Sequence, residues 1–175
     1  MFEPKDFFSA EEHSIRSLFT DKDKVFKIPD YQRNFAWTNH ELDQFWEDLK
    51  NVITGSYDLS TYSLRIAKPH FFGTILLTKA DNQYEVTDGQ QRLTVTTILL
   101  KVLHDVSNRI SNVQDRSGIS SLITPLIQKN IYGEPFQARL KLDSTVNNFF
   151  ENYILLKNTI SERADYLRLH PITIS

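Results

Sequence analysis

Asp88, Gln90, Gln91 and Arg92 fall within five consecutive positions. An acid, two amides and a guanidinium packed this closely suit the binding of an anion such as phosphate. They lie in YEVTDGQQRLTVTTILLKVL, Tyr84 to Leu103. A β-type run, Tyr84 to Thr87, meets the turn dipeptide Asp88-Gly89, and a long apolar stretch of helical character follows. Backbone N–H groups at a helix start, with a dipole equivalent to about half a charge, form an anion site. Arg92 adds a fork that can grip phosphate in bidentate fashion. The first expectation is therefore an anionic ligand, foremost a nucleotide phosphate. The same residues also fit a capping box, with Asp88 as N-cap and Gln91 three residues on. Such a cap contributes about 0.5–2 kcal/mol. The two readings are compatible, since a capped helix still presents Arg92.

A second cluster is Ile28-Pro29-Asp30-Tyr31-Gln32-Arg33-Asn34-Phe35-Ala36-Trp37. Tyr31 and Trp37 supply flat faces for stacking. Gln32 supplies an amide, and Arg33 a rigid fork of donors. The competing structural role makes Phe35 and Trp37 core anchors and Arg33 an ion-pair partner.

The elements that must position these groups follow from local signals. Ser9-Ala10-Glu11-Glu12 reads as a capping box opening a short helix to about Phe19. Lys24 to Ile28 alternates as a strand and is stopped by Pro29. Thr38-Asn39-His40-Glu41 is a second capping box. Its helix places Leu42, Phe45, Trp46, Leu49, Val52 and Ile53 on one face, with Gly55 as its stop. Ser56 to Lys68 is expected to be a flexible excursion. His70 to Thr78 reads as a buried strand, joined at Asp81-Asn82 in a hairpin to the strand at Tyr84. A long helix is expected from about Gln90 to Ser111, and another from Ile119 to Asn130, kinked or split at Pro125. Gly133 and Pro135 mark a turn. Ala138 to Leu142 alternates as a strand, and Asp143 caps a helix carrying Val146, Phe149, Phe150 and Tyr153. Asn158 to Leu169 reads as polar and partly helical.

The chain has 175 residues, enough for one domain with a real core. Apolar residues make up 40% and charged residues 24%, an ordinary soluble balance. There is no cysteine, which excludes disulfides and thiolate metal sites and is compatible with a cytoplasmic location. No run approaches the roughly 18 apolar residues of a membrane span. The first residues show no basic segment leading into an apolar one, as a signal peptide would. A net charge of −2 argues against a strongly basic, constitutive nucleic-acid binder. The chain contains neither a Walker-type phosphate loop nor a G-x-G-x-x-G fingerprint. Its five histidines form no H-x-x-x-H pair. His104-Asp105 is expected on a helix surface, and His70 stands close enough in sequence to a strand to approach the site.

The succession IPDYQRNFAW, FFGTILL and YEVTDGQQRLTVTTILL, with ARLKLDSTVNNFF after it, resembles the GmrSD-type restriction endonuclease N-terminal domain family (domain-of-unknown-function family 262). The resemblance covers roughly residues 10 to 155 and implies a ParB/sulfiredoxin-like α+β fold. That fold is a small mixed β-sheet flanked by helices, with a helical C-terminal part. The expected organisation is a domain over 1–155 and the start of a further helical region, truncated, over 156–175. The resemblance ties the DGQQR segment to nucleotide binding and hydrolysis. The matching residues are Asp88, Gly89, Gln90, Gln91 and Arg92, with Tyr31, Gln32 and Arg33 as the facing wall.

It also implies a role in modification-dependent restriction or phage defence. DNA would be engaged through the full-length protein, with an HNH-type nuclease domain or partner subunit supplying cleavage. A nucleoside triphosphate carries about four negative charges, which implies Mg²⁺ with one or two protein carboxylates. Asp88 is the candidate metal ligand, Gln90 or Gln91 would orient the attacking water, and Arg92 or Arg33 would stabilise transferred charge. Three functions follow: a nucleotide-hydrolysing regulatory domain, a nucleotide- or DNA-sensing module that hydrolyses nothing, or a nuclease in its own right.

Overall fold

Three short parallel strands set the architecture. The structure is a computed structural model that describes residues 9–20, 24–32, 35–58, 60–61, 63–65, 70–81, 83–129 and 136–156. Strand β1 (Phe26–Lys27) pairs in parallel with β5 (Gln83–Asp88) on one side and β8 (Leu140–Lys141) on the other. β4 (Leu76–Ala80) closes the outer side of β5 as an antiparallel partner, so the order is β4-β5-β1-β8. Helices surround this mixed sheet, and the fold class is α+β as expected.

β1 is brief because Pro29 follows it almost at once and cannot extend a ladder. Its Phe26 is fully buried and meets Phe19 edge-on at 5.5 Å. Phe19 lies on α1 (Ile15–Thr20), and that helix begins later than the first capping box predicts. Ser14, not Ser9, caps it: Ser14 Oγ accepts the Ser17 N–H at 3.0 Å. Val86 of β5 and Leu140 of β8 join Phe26 in the core. Leu93 of α3 (Gln90–Ser107) covers them, with Ile123, Leu126 and Ile127 of α4 (Val113–Ile127). α3 ends at Ser107, short of Ser111, and α4 starts six residues before Ile119 with Pro125 inside it.

The second capping box is present in full: the Thr38 hydroxyl oxygen accepts backbone N–H groups of the first turn of α2 (Asn39–Ser56), and the Glu41 carboxylate accepts the Thr38 N–H and hydroxyl. These bonds hold the Glu41 carboxyl below its usual pKa range, the Thr38 hydroxyl contributing most. α2 runs through Gly55 rather than stopping there. Its apolar face is less covered than its periodicity suggests, with Trp46 and Ile53 about half exposed.

Four further expectations change. The stretch after Ser56 is not a plain excursion: β2 (Tyr57–Asp58) pairs antiparallel with β3 (Ser63–Leu64), and Arg65 binds Asp58 at 2.7 Å. The predicted strand at His70 begins only at Leu76, because Gly73, at φ +109°, breaks extended pairing before it. β4 is an edge strand, so it is half exposed rather than buried. ARLKL divides at Arg139 into β7 (Gln137–Ala138) and β8, while β7 turns away to pair with β6 (Gln128–Lys129). Arg139 is buried there, its guanidinium donating to the carbonyls of Lys24 and Pro125. After Asp143 the chain forms only α5 (Asn147–Phe149) before widening into a π-helical stretch, Phe150–Leu155.

The β4–β5 hairpin is as expected, with Asp81 in the left-handed region at its turn. His104-Asp105 is not a surface pair. Lys101, 4% exposed, forms an ion pair with the Asp105 carboxylate one turn along α3, and His104 Nε2 meets Ser120 Oγ of α4 at 3.3 Å. The expectations for Asn82, Gly133, Pro135 and Asn158 to Leu169 lie outside the described residues.

Candidate functional site

Parallel pairing has a direct consequence for the two polar motifs. β1 and β5 point the same way, so the segments that leave their carboxyl ends emerge on the same edge of the sheet. Pro29-Asp30-Tyr31-Gln32 leaves β1, and Gly89-Gln90-Gln91-Arg92 leaves β5. In open sheets with parallel strands that edge is the usual place for a ligand.

Hydrogen bonds hold the first segment in place. The Gln32 N–H donates to the Pro29 carbonyl at 3.0 Å, closing a turn. Gln32 Nε2 donates to the Thr87 carbonyl at 3.1 Å, one residue before Asp88. Asp30 Oδ1 accepts the Ser144 N–H at 2.6 Å, so the chain leaving β8 is tied to the same edge. That bond holds the Asp30 carboxyl below its ordinary pKa. Tyr31, between these anchors, is 74% exposed. Gln32 therefore has a structural task, while Tyr31 presents its ring outward. Arg33 lies outside the described residues.

The second segment departs from the capping-box reading. Gly89, not Asp88, is the N-cap of α3, at φ +83°. A side chain is disfavoured there twice: the conformation is left-handed, and a Cβ would stand 3.1 Å from the Thr74 carbonyl oxygen. Asp88 is the last residue of β5. Its Oδ1 accepts the Gly89 N–H at 2.8 Å, and its carboxylate is exposed. Gln91 does not reach back to Asp88. Its Oε1 accepts the Ala36 N–H at 3.1 Å, which fastens the far end of the first loop to α3. Gln90 and Gln91 are both 7% exposed, so both amides are built into the wall rather than standing over it.

Arg92 is held from a third direction. Its guanidinium lies over Gly73 so closely that a Cβ on that glycine would sit 2.8 Å from Arg92 Cζ. Its NH1 donates to the Thr74 carbonyl at 3.4 Å. Sequence reasoning missed this: the Gly in FFGTILL had a task, and it was to leave room for the arginine. It missed Phe45 as well. The Phe45 ring lies 6.0 Å from Trp37 and 5.8 Å from Phe72, so α2 ties the loop before it to the loop before β4.

The arrangement brings Gln32, Asp88, Gly89, Gln91 and Arg92 to one edge of the sheet. Asp88 is a single exposed carboxylate, and no cluster of three potential metal-ligating side chains occurs among the described residues. A lone carboxylate fits Mg²⁺ only in the mode where phosphate oxygens and water supply the other ligands. His70 is exposed in the loop before Phe71.

Among the described residues no helix is long and apolar enough to cross a membrane. The family described as GmrSD restriction endonuclease, N-terminal domain, matches the chain over residues 15–172. No curated protein matches the sequence significantly.

Proposed function

The chain belongs to the GmrSD restriction endonuclease N-terminal domain family, and on that premise we propose that it is a nucleotide-binding, nucleotide-hydrolysing regulatory domain of a restriction or phage-defence protein. The observation that carries the reading is the joining of two polar motifs at the carboxyl ends of β1 and β5. The bonds from Gln32 to Thr87 and from Ala36 to Gln91 hold them together.

In this reading the phosphates lie against the first turn of α3. The helix dipole and the Arg92 guanidinium offset their charge there. Arg92 is preset by Gly73, so little side-chain entropy is lost on binding. Asp88 would hold Mg²⁺, directly or through water, and the ion would supply charge neutralisation at the phosphates. Gln90 and Gln91 are buried, and their part is chiefly to shape the wall. A water-orienting role for either would be exerted from the wall surface. Tyr31 completes the facing side, and the family resemblance adds Arg33 to the residues that would bind the nucleotide. DNA, and a nuclease domain or subunit to cut it, belong to the longer assembly in which the domain acts. The ParB/sulfiredoxin-like relationship fits the mixed sheet with its site at strand ends.

The test is calorimetric titration of the chain with ATP, GTP, CTP and UTP in Mg²⁺, alongside phosphate release. Binding of any triphosphate that Arg92→Ala weakens by about 10- to 100-fold supports the reading. Binding with no phosphate release by either the chain or the full-length protein would leave a sensor that hydrolyses nothing. No binding in either form would overturn it.

A further inference from the structure

Two exposed phenylalanines adjoin, in the chain, the residues that are fastened to the start of α3, and the phosphate reading does not use them. Phe71 is 81% exposed and Phe35 is 48% exposed. Each belongs to a loop that is anchored next to it. Ala36, beside Phe35, donates its N–H to Gln91. Phe72, beside Phe71, packs edge-on against Phe45, and Gly73 follows it beneath the Arg92 guanidinium. Phe45 also holds Trp37, so one ring on α2 secures both loops.

Backbone anchoring of this kind leaves the two exposed rings little freedom to fold back onto the core. Water around large apolar rings is unfavourable, and rings held out beside a polar site mark a contact surface. Ala36, next to Phe35, is bonded to Gln91, and Gly73, two residues after Phe71, lies against Arg92, the second and third positions of α3. A flat, uncharged group joined to an anion there would meet the rings with one end and the arginine with the other. A nucleobase joined to its phosphates has that chemistry, and stacking on phenylalanine needs no particular base edge.

We propose that Phe71 and Phe35 form the nucleobase subsite, stacking the base of the nucleotide whose phosphates meet Arg92. This rests on the nucleotide reading above and adds the residues that hold the base. Both rings are exposed, so replacing them leaves the core intact.

The experiment compares inorganic tripolyphosphate with ATP, GTP, CTP and UTP, each in Mg²⁺, by calorimetry. Tripolyphosphate reports the phosphate subsite alone. The wild-type chain should bind at least one nucleotide more tightly than tripolyphosphate. Phe71→Ala and Phe35→Ala should each remove about five- to tenfold of that preference and leave tripolyphosphate affinity unchanged. Phe71→Tyr should restore it, since the ring face is kept. Nucleotide affinity unchanged in both alanine variants would overturn the subsite. Equal wild-type affinity for nucleotides and tripolyphosphate would overturn it while leaving the phosphate site standing. Wild-type binding of neither would overturn both. Weakened binding of a single-stranded oligonucleotide, with triphosphate binding intact, would assign the rings to nucleic acid and overturn the proposal.

Discussion

The Ala36 N–H donates to Gln91 Oε1 at 3.1 Å, joining two residues 55 positions apart. One buried amide thus stitches the loop after β1 to the first turn of α3. Gln91→Ala would leave the Ala36 N–H without that acceptor and open a small gap in the wall. The expected loss is about 1–2 kcal/mol of unfolding free energy. Denaturant titration measures it. Gln91→Glu keeps an oxygen acceptor at the same reach and should recover part of the loss.

Gly73 is predicted to matter through Arg92. Gly73→Ala places a methyl group where Arg92 Cζ now lies, at a φ of +109° that disfavours any side chain. The strain should cost on the order of 1–3 kcal/mol. The displaced guanidinium should also weaken tripolyphosphate binding roughly as much as Arg92→Ala does. Calorimetry on both variants, at a temperature where both remain folded, compares them directly. Full affinity in Gly73→Ala would show that Arg92 is not preset by this contact.

Asp88 separates cap from chemistry more cleanly than its sequence context suggests. Gly89 is the cap, and Asp88 contributes one hydrogen bond to the Gly89 N–H. Asp88→Asn keeps that acceptor and should leave the melting temperature nearly unchanged. Asp88→Ala should cost no more than about 0.5–1.5 kcal/mol, the worth of one ordinary hydrogen bond. Both should reduce Mg²⁺-dependent phosphate release by about 100-fold if the carboxylate serves the reaction. Wild-type turnover in Asp88→Asn would remove Asp88 from the mechanism.

The β2–β3 hairpin should respond to acid. Hydrogen bonds from the Ser60 hydroxyl, then Arg65, then the Ser60 backbone lower the Asp58 pKa to about 2. The folded pKa is depressed, so the hairpin gains stability when the carboxylate is ionised. That contribution is complete above the unfolded value near 3.8 and is lost as pH falls through about 2. Amide exchange or an NMR titration of the Asp58 carboxyl follows it. Asp58→Asn should abolish the dependence in this window.

Lys101 and Asp105, one turn apart on α3, form an ion pair largely removed from water. Lys101→Met alone removes the ammonium partner of the Asp105 carboxylate and should destabilise by about 3 kcal/mol. Lys101→Met combined with Asp105→Leu should recover most of that loss, because neither charge is then left buried. A double-mutant cycle in denaturant checks the coupling.

Elements closed by near neighbours are legible in the sequence alone. The Thr38–Glu41 box works within one helical turn, and Pro29 ends β1 by its own lack of an N–H. The turn at Asp81 joins strands adjacent in sequence, and the Asp88-Gly89 dipeptide marks the passage from β5 to α3. In each case the deciding energy is local. DGQQR and YQR stand out as polar clusters for the same reason, and as a pair only through their resemblance to a family. That they share one edge follows from β1 pairing in parallel with β5, a contact across more than fifty residues that no local signal encodes. Tertiary packing also made Gln91 a strut rather than a box partner, because the Ala36 N–H competes for its oxygen once the loops meet. It set His104 against Ser120 by placing α4 against α3, and left Trp46 and Ile53 half exposed where periodicity pointed to a buried face. Residue types and spacing determined which groups could do chemistry. The order of strands decided which of them face one another, since burial and parallel pairing are properties of the whole chain.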